Sequence, residues 1–324
     1  MKKTILVTGV AGFVGSNLAK SLLELGHQVI GIDNFSYGEE RNIEAFKTNT
    51  NFQFFNKDIT NKTVFENLIF DTLVHLASQK IPRYSSAFKT ISENDVMINV
   101  VIEACLKQKA KLVFASTSDI YGKNPDLPYH EESNSVLGPT TVKRWAYALS
   151  KIHSEHLIIA NNQDNGLDYT IMRFFGSYGP NQNLTWWGGP QSVFIQNILE
   201  NKGFEIHGDG LQTRTFTYID DTVQGIILCI LKEEAKNEIF NIAGEPTEEI
   251  TIKKLGETIC GLLDVEADNT MTYIPYSTFG KYEDVRNRVP DINKIKNKLG
   301  YKPKYTLVDG LTKTIAWQKD IFKK

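Results

Sequence analysis

A short apolar run, Thr4–Gly9, passes within a few residues into an amphipathic helical stretch, and the junction carries Gly9-x-x-Gly12-x-x-Gly15. This reads as strand, tight turn and helix, with backbone N–H groups left free at the helix start. A pyrophosphate can be received there, because the missing side chains let its oxygens approach the backbone closely. Further short apolar runs follow at 27–33, 51–55, 72–77 and 111–117, and helical patterns separate them, notably 91–108. A sixth run, 168–175, comes after the helical stretch 143–160, and 238–244 reads as a seventh strand returning late to the same sheet. Alternation of this kind predicts a doubly wound parallel α/β sheet with helices on both faces.

From Gly176 the texture changes to a loop rich in Gly, Pro and Asn, and the last stretch mixes short helices with isolated strands. The expected division is a nucleotide-binding part, 1–175 plus about 215–243, and a smaller mixed α/β part, about 176–214 plus 244–324. A net charge of −2 over 324 residues gives no basic surface for nucleic acid. No run approaches the ~20 apolar residues of a membrane span, and the basic, then apolar, opening reads as the first strand rather than a signal peptide. Cys105, Cys229 and Cys260 are scattered without CxxC spacing and read as reduced core thiols of a cytoplasmic protein; no metal is expected.

The second strand ends in Asp33, where a carboxylate can accept both hydroxyls of a ribose and would repel a 2′-phosphate, so the expected cofactor is NAD rather than NADP. Capping of the following turn is the alternative for Asp33. Asp58 suits either an adenine amino group or the N-cap of the next helix. In mid-chain, Tyr147-x-x-x-Lys151 falls in a helical stretch, so the i,i+4 spacing puts phenol and ammonium on one face. A phenol ionises near ~10 in water. A neighbouring ammonium and a positively charged nicotinamide favour phenolate and bring it toward use as a base. Thr117 and Ser118 lie just past the fifth strand, at the carboxyl edge where ligands of open α/β sheets bind, and their hydroxyls can orient or relay the proton of a substrate OH.

With those residues in hand, nearly the whole chain resembles the extended short-chain dehydrogenase/reductases that modify nucleotide sugars. The carriers are the three glycines, Asp33, the segment His75–Ser78, Ser116-Thr117-Ser118, the Tyr147/Lys151 pair, Tyr178-Gly179-Pro180, the stretch around Arg214, and the closing 284–303. The resemblance implies a Rossmann-type sheet lined at the cofactor by Gly9, Gly12, Phe13, Val14, Gly15, Asp33, Asn34, Asp58, Ile59, Leu76, Ala77 and Ser78. It implies Tyr147 as catalytic base, Lys151 as its partner and NAD-ribose ligand, and Thr117 near sugar C4, with Ser118 and Asp119 beside them. Lys80, Arg214 and Arg288 would bind substrate, the two arginines holding the nucleotide diphosphate. Gly176 stands where the family often has an asparagine that contacts substrate phosphate. A homodimer built on a four-helix contact is implied as well.

The branch of the family turns on Asp119. Epimerases usually carry a small or hydroxyl residue there, and decarboxylases and 4,6-dehydratases a glutamate; a turn or helix-start cap is the other reading. The expected activity is an NDP-sugar, specifically UDP-sugar, 4-epimerase. A UDP-glucuronate decarboxylase is second, favoured by Arg144-Trp145 shortly before Tyr147, and a 4,6-dehydratase third, since Ser118 replaces its usual acid. A catalytically silent NAD-binding sensor is the reading from another class. Trp186 and Trp187 suit stacking on a base or sugar, or packing as a lid.

Overall fold

The computed structural model describes residues 2–80, 86–281 and 283–323. Along the chain the elements are β1 (Thr4–Thr8), α1 (Phe13–Glu24), β2 (Gln28–Asp33), β3 (Phe52–Asn56), β4 (Thr72–His75), α2 (Ala87–Gln108) and β5 (Lys111–Thr117). Then come α3 (Trp145–Asn165), β6 (Tyr169–Phe174), β7 (Ser177–Tyr178), α4 (Pro190–Leu199), β8 (Phe204–His207), β9 (Thr213–Arg214), β10 (Thr217–Tyr218), α5 (Ile219–Leu231) and β11 (Glu238–Ile242). The chain closes with β12 (Ile250–Thr251), α6 (Ile252–Leu262), α7 (Ala267–Thr270), β13 (Met271–Ile274), α8 (Asn293–Leu299) and α9 (Leu307–Phe322).

Seven of these strands form one parallel sheet in the order β11-β6-β5-β4-β1-β2-β3. Successive residues of a strand point to opposite faces, and β1 uses both. Ile5 and Val7 join the apolar cluster with Leu18, Leu22 and Ile226 of α1 and α5, while Leu6 joins the one with Ile98 and Val101 of α2 and Ile158 of α3. Burial on both faces explains why the strands read as continuous apolar runs instead of alternating ones. The order reverses between β1 and β4, so the connections leaving their carboxyl ends diverge and open a crevice.

Several sequence expectations are refined. α2 starts a turn earlier than the 91–108 pattern, because the Ser86 hydroxyl caps it by accepting the Lys89 N–H at 3.3 Å. α3 runs on to Asn165, where Gly166 takes a left-handed conformation and ends it. The closing region holds a long helix as well as short ones: α9 spans 16 residues behind a Thr306/Asp309 capping box. Its strands pair with the preceding segment, β13 parallel to β8 and β12 antiparallel to β9. All three cysteines are free and buried.

The β1–α1 turn tolerates only glycine at two points. Gly9 sits at φ +71°, and a Cβ on Gly15 would lie 2.1 Å from the Gly9 carbonyl oxygen. Neither neighbour is a flexible side-chain tip, so Gly15→Ala must displace the helix from the strand. We expect it to lower stability by about 3 kcal/mol and to weaken NAD retention. A urea midpoint equal to that of the parent protein would refute the close packing.

Candidate functional site

The catalytic, cofactor and substrate residues expected from the sequence all line one cavity of about 650 Å³ at the carboxyl edge of the sheet, whereas His75, Trp145 and Tyr178-Gly179-Pro180 do not line it. At one end it is built by the β1–α1 turn and the end of β2. The Asp33 carboxylate accepts the backbone N–H groups of Ala11 at 2.9 Å and Phe35 at 2.8 Å, while burial pushes its carboxyl upward against those bonds. Asp33 therefore braces the glycine turn and the next loop as well as facing the cavity. Asn34 donates to Asp58 at 2.9 Å, and Asp58 also accepts the Thr60 N–H and hydroxyl. The 3-10 turn that follows is capped by Asn61, so the helix-cap reading of Asp58 is corrected. α1 follows its N-cap Gly12 without a side-chain cap or an acidic residue in its first turn, which leaves its positive end bare. This arrangement fits a dinucleotide: close backbone, a helix terminus for the pyrophosphate and a carboxylate at ribose distance along the chain.

The middle of the cavity is made by β5 and α3. Lys151 is almost wholly buried and donates to the Ala115 carbonyl at 2.8 Å, with its ammonium 4.6 Å above the Phe114 ring. Burial brings its pKa down to about 7, with the Glu155 carboxylate acting in the opposite direction. Tyr147 is hydrogen-bonded by Ser78 and Thr117. Its own surroundings push the phenol up, through burial first and the Asp119 charge second, and those two hydrogen bonds only partly oppose them. The protein groups alone therefore do not make a base of it; further positive charge beside the ring is required. His75, under the same site, bonds Thr8 at 2.8 Å and is held neutral, burial bringing it down to about 3.

At the far side Asp119 is neither a cap nor a free acid. Thr117 caps the turn after β5 by accepting the Asp119 N–H, and the Asp119 carboxylate pairs with Arg144 at 3.2 Å and with Arg288. Burial pushes that carboxyl up, but Arg288, Arg144 and Arg214 together hold it below the usual range. Arg288 also reaches the Ser118 hydroxyl at 3.4 Å. Asp284 completes the group by pairing with Arg144 and Arg214, each at 3.0 Å, and accepting the Tyr276 hydroxyl at 2.6 Å. Among the described residues three guanidiniums thus face two carboxylates, and Lys80 adds a further amine to the same cavity. Sequence reasoning missed Asp284 and left Arg144 as a point of resemblance; Asp284 lies 140 residues from Arg144 and no spacing rule links them.

The two tryptophans part company. Trp186 stacks on His207 at 4.3 Å and meets Phe194 edge-on, so it packs the wall, whereas Trp187 lies 4.6 Å from the Tyr37 ring across the cleft. Gly176, in place of the asparagine, adopts φ +49° with the Thr215 carbonyl oxygen 2.9 Å from where a Cβ would sit.

Residues 5–243 match the NAD dependent epimerase/dehydratase family. The chain is 32% identical, over 99% of both lengths, to a UDP-N-acetyl-alpha-D-glucosaminuronate decarboxylase of Bacillus cytotoxicus. It is 33% identical to a UDP-glucuronate 4-epimerase of Thermodesulfobacterium geofontis, over 97% of this chain and 96% of that one. Among solved structures it superposes on the UDP-glucuronic acid 4-epimerase of Bacillus cereus in complex with UDP-glucuronic acid and NAD, with a TM-score of 0.87 and 29% identity, over 98% and 99% of the two chains.

Proposed function

The chain belongs to the NAD dependent epimerase/dehydratase family, and from that premise we propose that it is a UDP-hexuronate decarboxylase working through a 4-keto sugar. The observation that carries this reading is the cluster of Arg144, Arg288 and Arg214 around Asp119 and Asp284, next to the Thr117/Tyr147 pair. A site for a neutral hexose has no need of guanidiniums beside its reacting hydroxyl, whereas a uronate brings a carboxylate to that point. Arg288 and Arg144 take this carboxylate, a change from the diphosphate role expected of Arg288; Arg214, held by Asp284 and the Val285 carbonyl, stays with the diphosphate.

NAD, held by the glycine turn and Asp33, would supply the hydride acceptor and donor for sugar C4. Tyr147 takes the proton of the C4 hydroxyl, Lys151 supplies positive charge that favours phenolate, and the Thr117 hydroxyl orients the C4 oxygen. With C4 a ketone, the C5–C6 bond breaks, CO2 leaves, and the electron pair passes to the C4 oxygen as an enolate. A proton delivered at C5, reduction at C4 and return of the Tyr147 proton to the C4 oxygen give a UDP-pentose. Asp119, fixed between two arginines, keeps them spaced and part-neutralised until the substrate arrives.

That same pinning of Asp119, with a side chain one methylene short of glutamate, supports a second reading, UDP-hexuronate 4-epimerase. Product analysis after incubation with UDP-glucuronate and UDP-N-acetylglucosaminuronate separates the two. Release of CO2 is expected; inverted C4 at unchanged mass would establish the epimerase, and inertness of both uronates with turnover of neutral UDP-hexoses would sink the carboxylate assignment.

The division into an NAD half, 1–175 plus about 215–243, and a sugar half is part of this proposal, as are a cytoplasmic setting and a dimer. Phe88, Ile91 and Val96 of α2 and Leu149 of α3 are 81%, 40%, 42% and 48% exposed on helices that pack against each other. A second copy of the same helix pair would cover them. The double variant Phe88→Asp/Leu149→Asp is expected to run as a monomer in light scattering where the parent runs as a dimer.

A further inference from the structure

Three successive residues of β5 bind three successive turns of α3. Thr117 meets Tyr147, the Ala115 carbonyl holds Lys151, and between them the Ser116 hydroxyl donates to Glu155. Glu155 follows Lys151 by four residues, so Tyr147, Lys151 and Glu155 share one helix face. Both Glu155 and its partner Arg173 are buried; Arg173 sits on β6 and donates to the two Glu155 oxygens at 3.1 and 2.6 Å. From there the contacts continue: Arg173 donates to the Tyr121 hydroxyl at 3.1 Å and the Glu131 carbonyl at 2.7 Å, and Tyr121 donates to Asn241 of β11 at 2.7 Å. Asn241 in turn donates to the Asp291 carbonyl at 3.0 Å, three residues beyond Arg288. None of these groups beyond Thr117, Lys151 and Tyr147 belongs to the chemistry described above.

We propose that Glu155 is a positioning residue, which with Arg173 fixes the register of α3 against β5 and keeps a compensating negative charge behind Lys151. Breaking a buried pair leaves one charge uncompensated, so its geometry resists drift. Among the described residues, the charged and titratable groups around Lys151 and Tyr147 are Glu155 on the same helix, neutral His75 from β4, Asp119 from the turn after β5, and Arg173 from β6 behind Glu155. Glu155 favours the ammonium, and the ammonium favours the Tyr147 phenolate. In NAD-loaded protein, where the nicotinamide charge brings Tyr147 down into the range in which Lys151 still holds its proton, removing the Glu155 charge therefore weakens proton binding at Lys151 and raises the pH at which Tyr147 ionises.

The test needs no substrate. In NAD-loaded protein, the ionisation of Tyr147 is followed as the tyrosinate absorbance difference between each protein and its Tyr147→Phe counterpart. Glu155→Gln, which keeps the shape, is expected to move the midpoint upward by roughly half a pH unit or more. Ser116→Ala, which leaves the ion pair intact and removes only the rung between strand and helix, is expected to shift it in the same direction by less, and it decides the matter alone if Glu155→Gln does not fold. Midpoints unmoved in every folded variant overturn the proposal. The inference rests on Tyr147 as the base: a parent protein without a Tyr147-specific signal overturns that reading and this one with it, whereas a parent signal with unmoved variants overturns this one only.

Discussion

Replacing Tyr147 with phenylalanine is expected to lower turnover of the UDP-hexuronate by roughly 10³-fold while NAD stays bound. The substitution removes one oxygen. Lys151 keeps its bond to the Ala115 carbonyl and its place over the Phe114 ring, and Asp33 with the glycine turn is untouched, so the cofactor end is preserved. What is lost is the phenol oxygen beside Thr117 and Ser78, the group assigned to take the proton of a substrate hydroxyl. Single-turnover measurements should show no reduced nicotinamide forming on substrate addition. Rates equal to those of the parent protein would remove Tyr147 from the mechanism, whatever the branch.

The second large effect is expected from Arg288→Met. Arg288 contacts Asp119 and Ser118, immediately after the threonine bonded to Tyr147, so its loss strikes the sugar end of the cavity. Truncating one member of a buried charge pair costs about 2–5 kcal/mol at a binding interface, and kcat/KM for a UDP-hexuronate is expected to fall about 100-fold. Binding of a neutral UDP-hexose, measured by calorimetry on the NAD-loaded protein, is expected to change several-fold at most. An equal fall for both ligands would return Arg288 to the diphosphate and leave the uronate reading without its support.

The parts legible in the sequence are those set by local rules. Three glycines at fixed spacing, a strand ending in Asp33 and an i,i+4 tyrosine–lysine pair each declare themselves within one turn or one strand, and the structure brings them to one cavity. Asp119 shows where such rules stop. Its neighbours in the chain suggest a cap or an acid, yet Thr117 supplies the cap, and arginines 25 and 169 residues away take the carboxylate. Glu155 was equally silent, since a buried carboxylate is justified only by Arg173, which a strand brings to it from the next element. Trp187 faces Tyr37 for the same reason: the contact joins two loops that only the completed sheet places side by side.

The position of β11 bears on how the molecule can be made. It pairs with β6 over five residues, and its Asn241 ties in the segment just past Arg288, yet it lies more than 60 residues beyond β6 in the chain. A fragment ending near residue 175 would present β6 as a bare edge, ready to pair with any other extended chain. Residues 1–175 therefore cannot be cut free as a self-sufficient piece. During synthesis the last seam of the sheet stays open until the chain has passed residue 242, and a stalled or truncated product should aggregate rather than bind NAD.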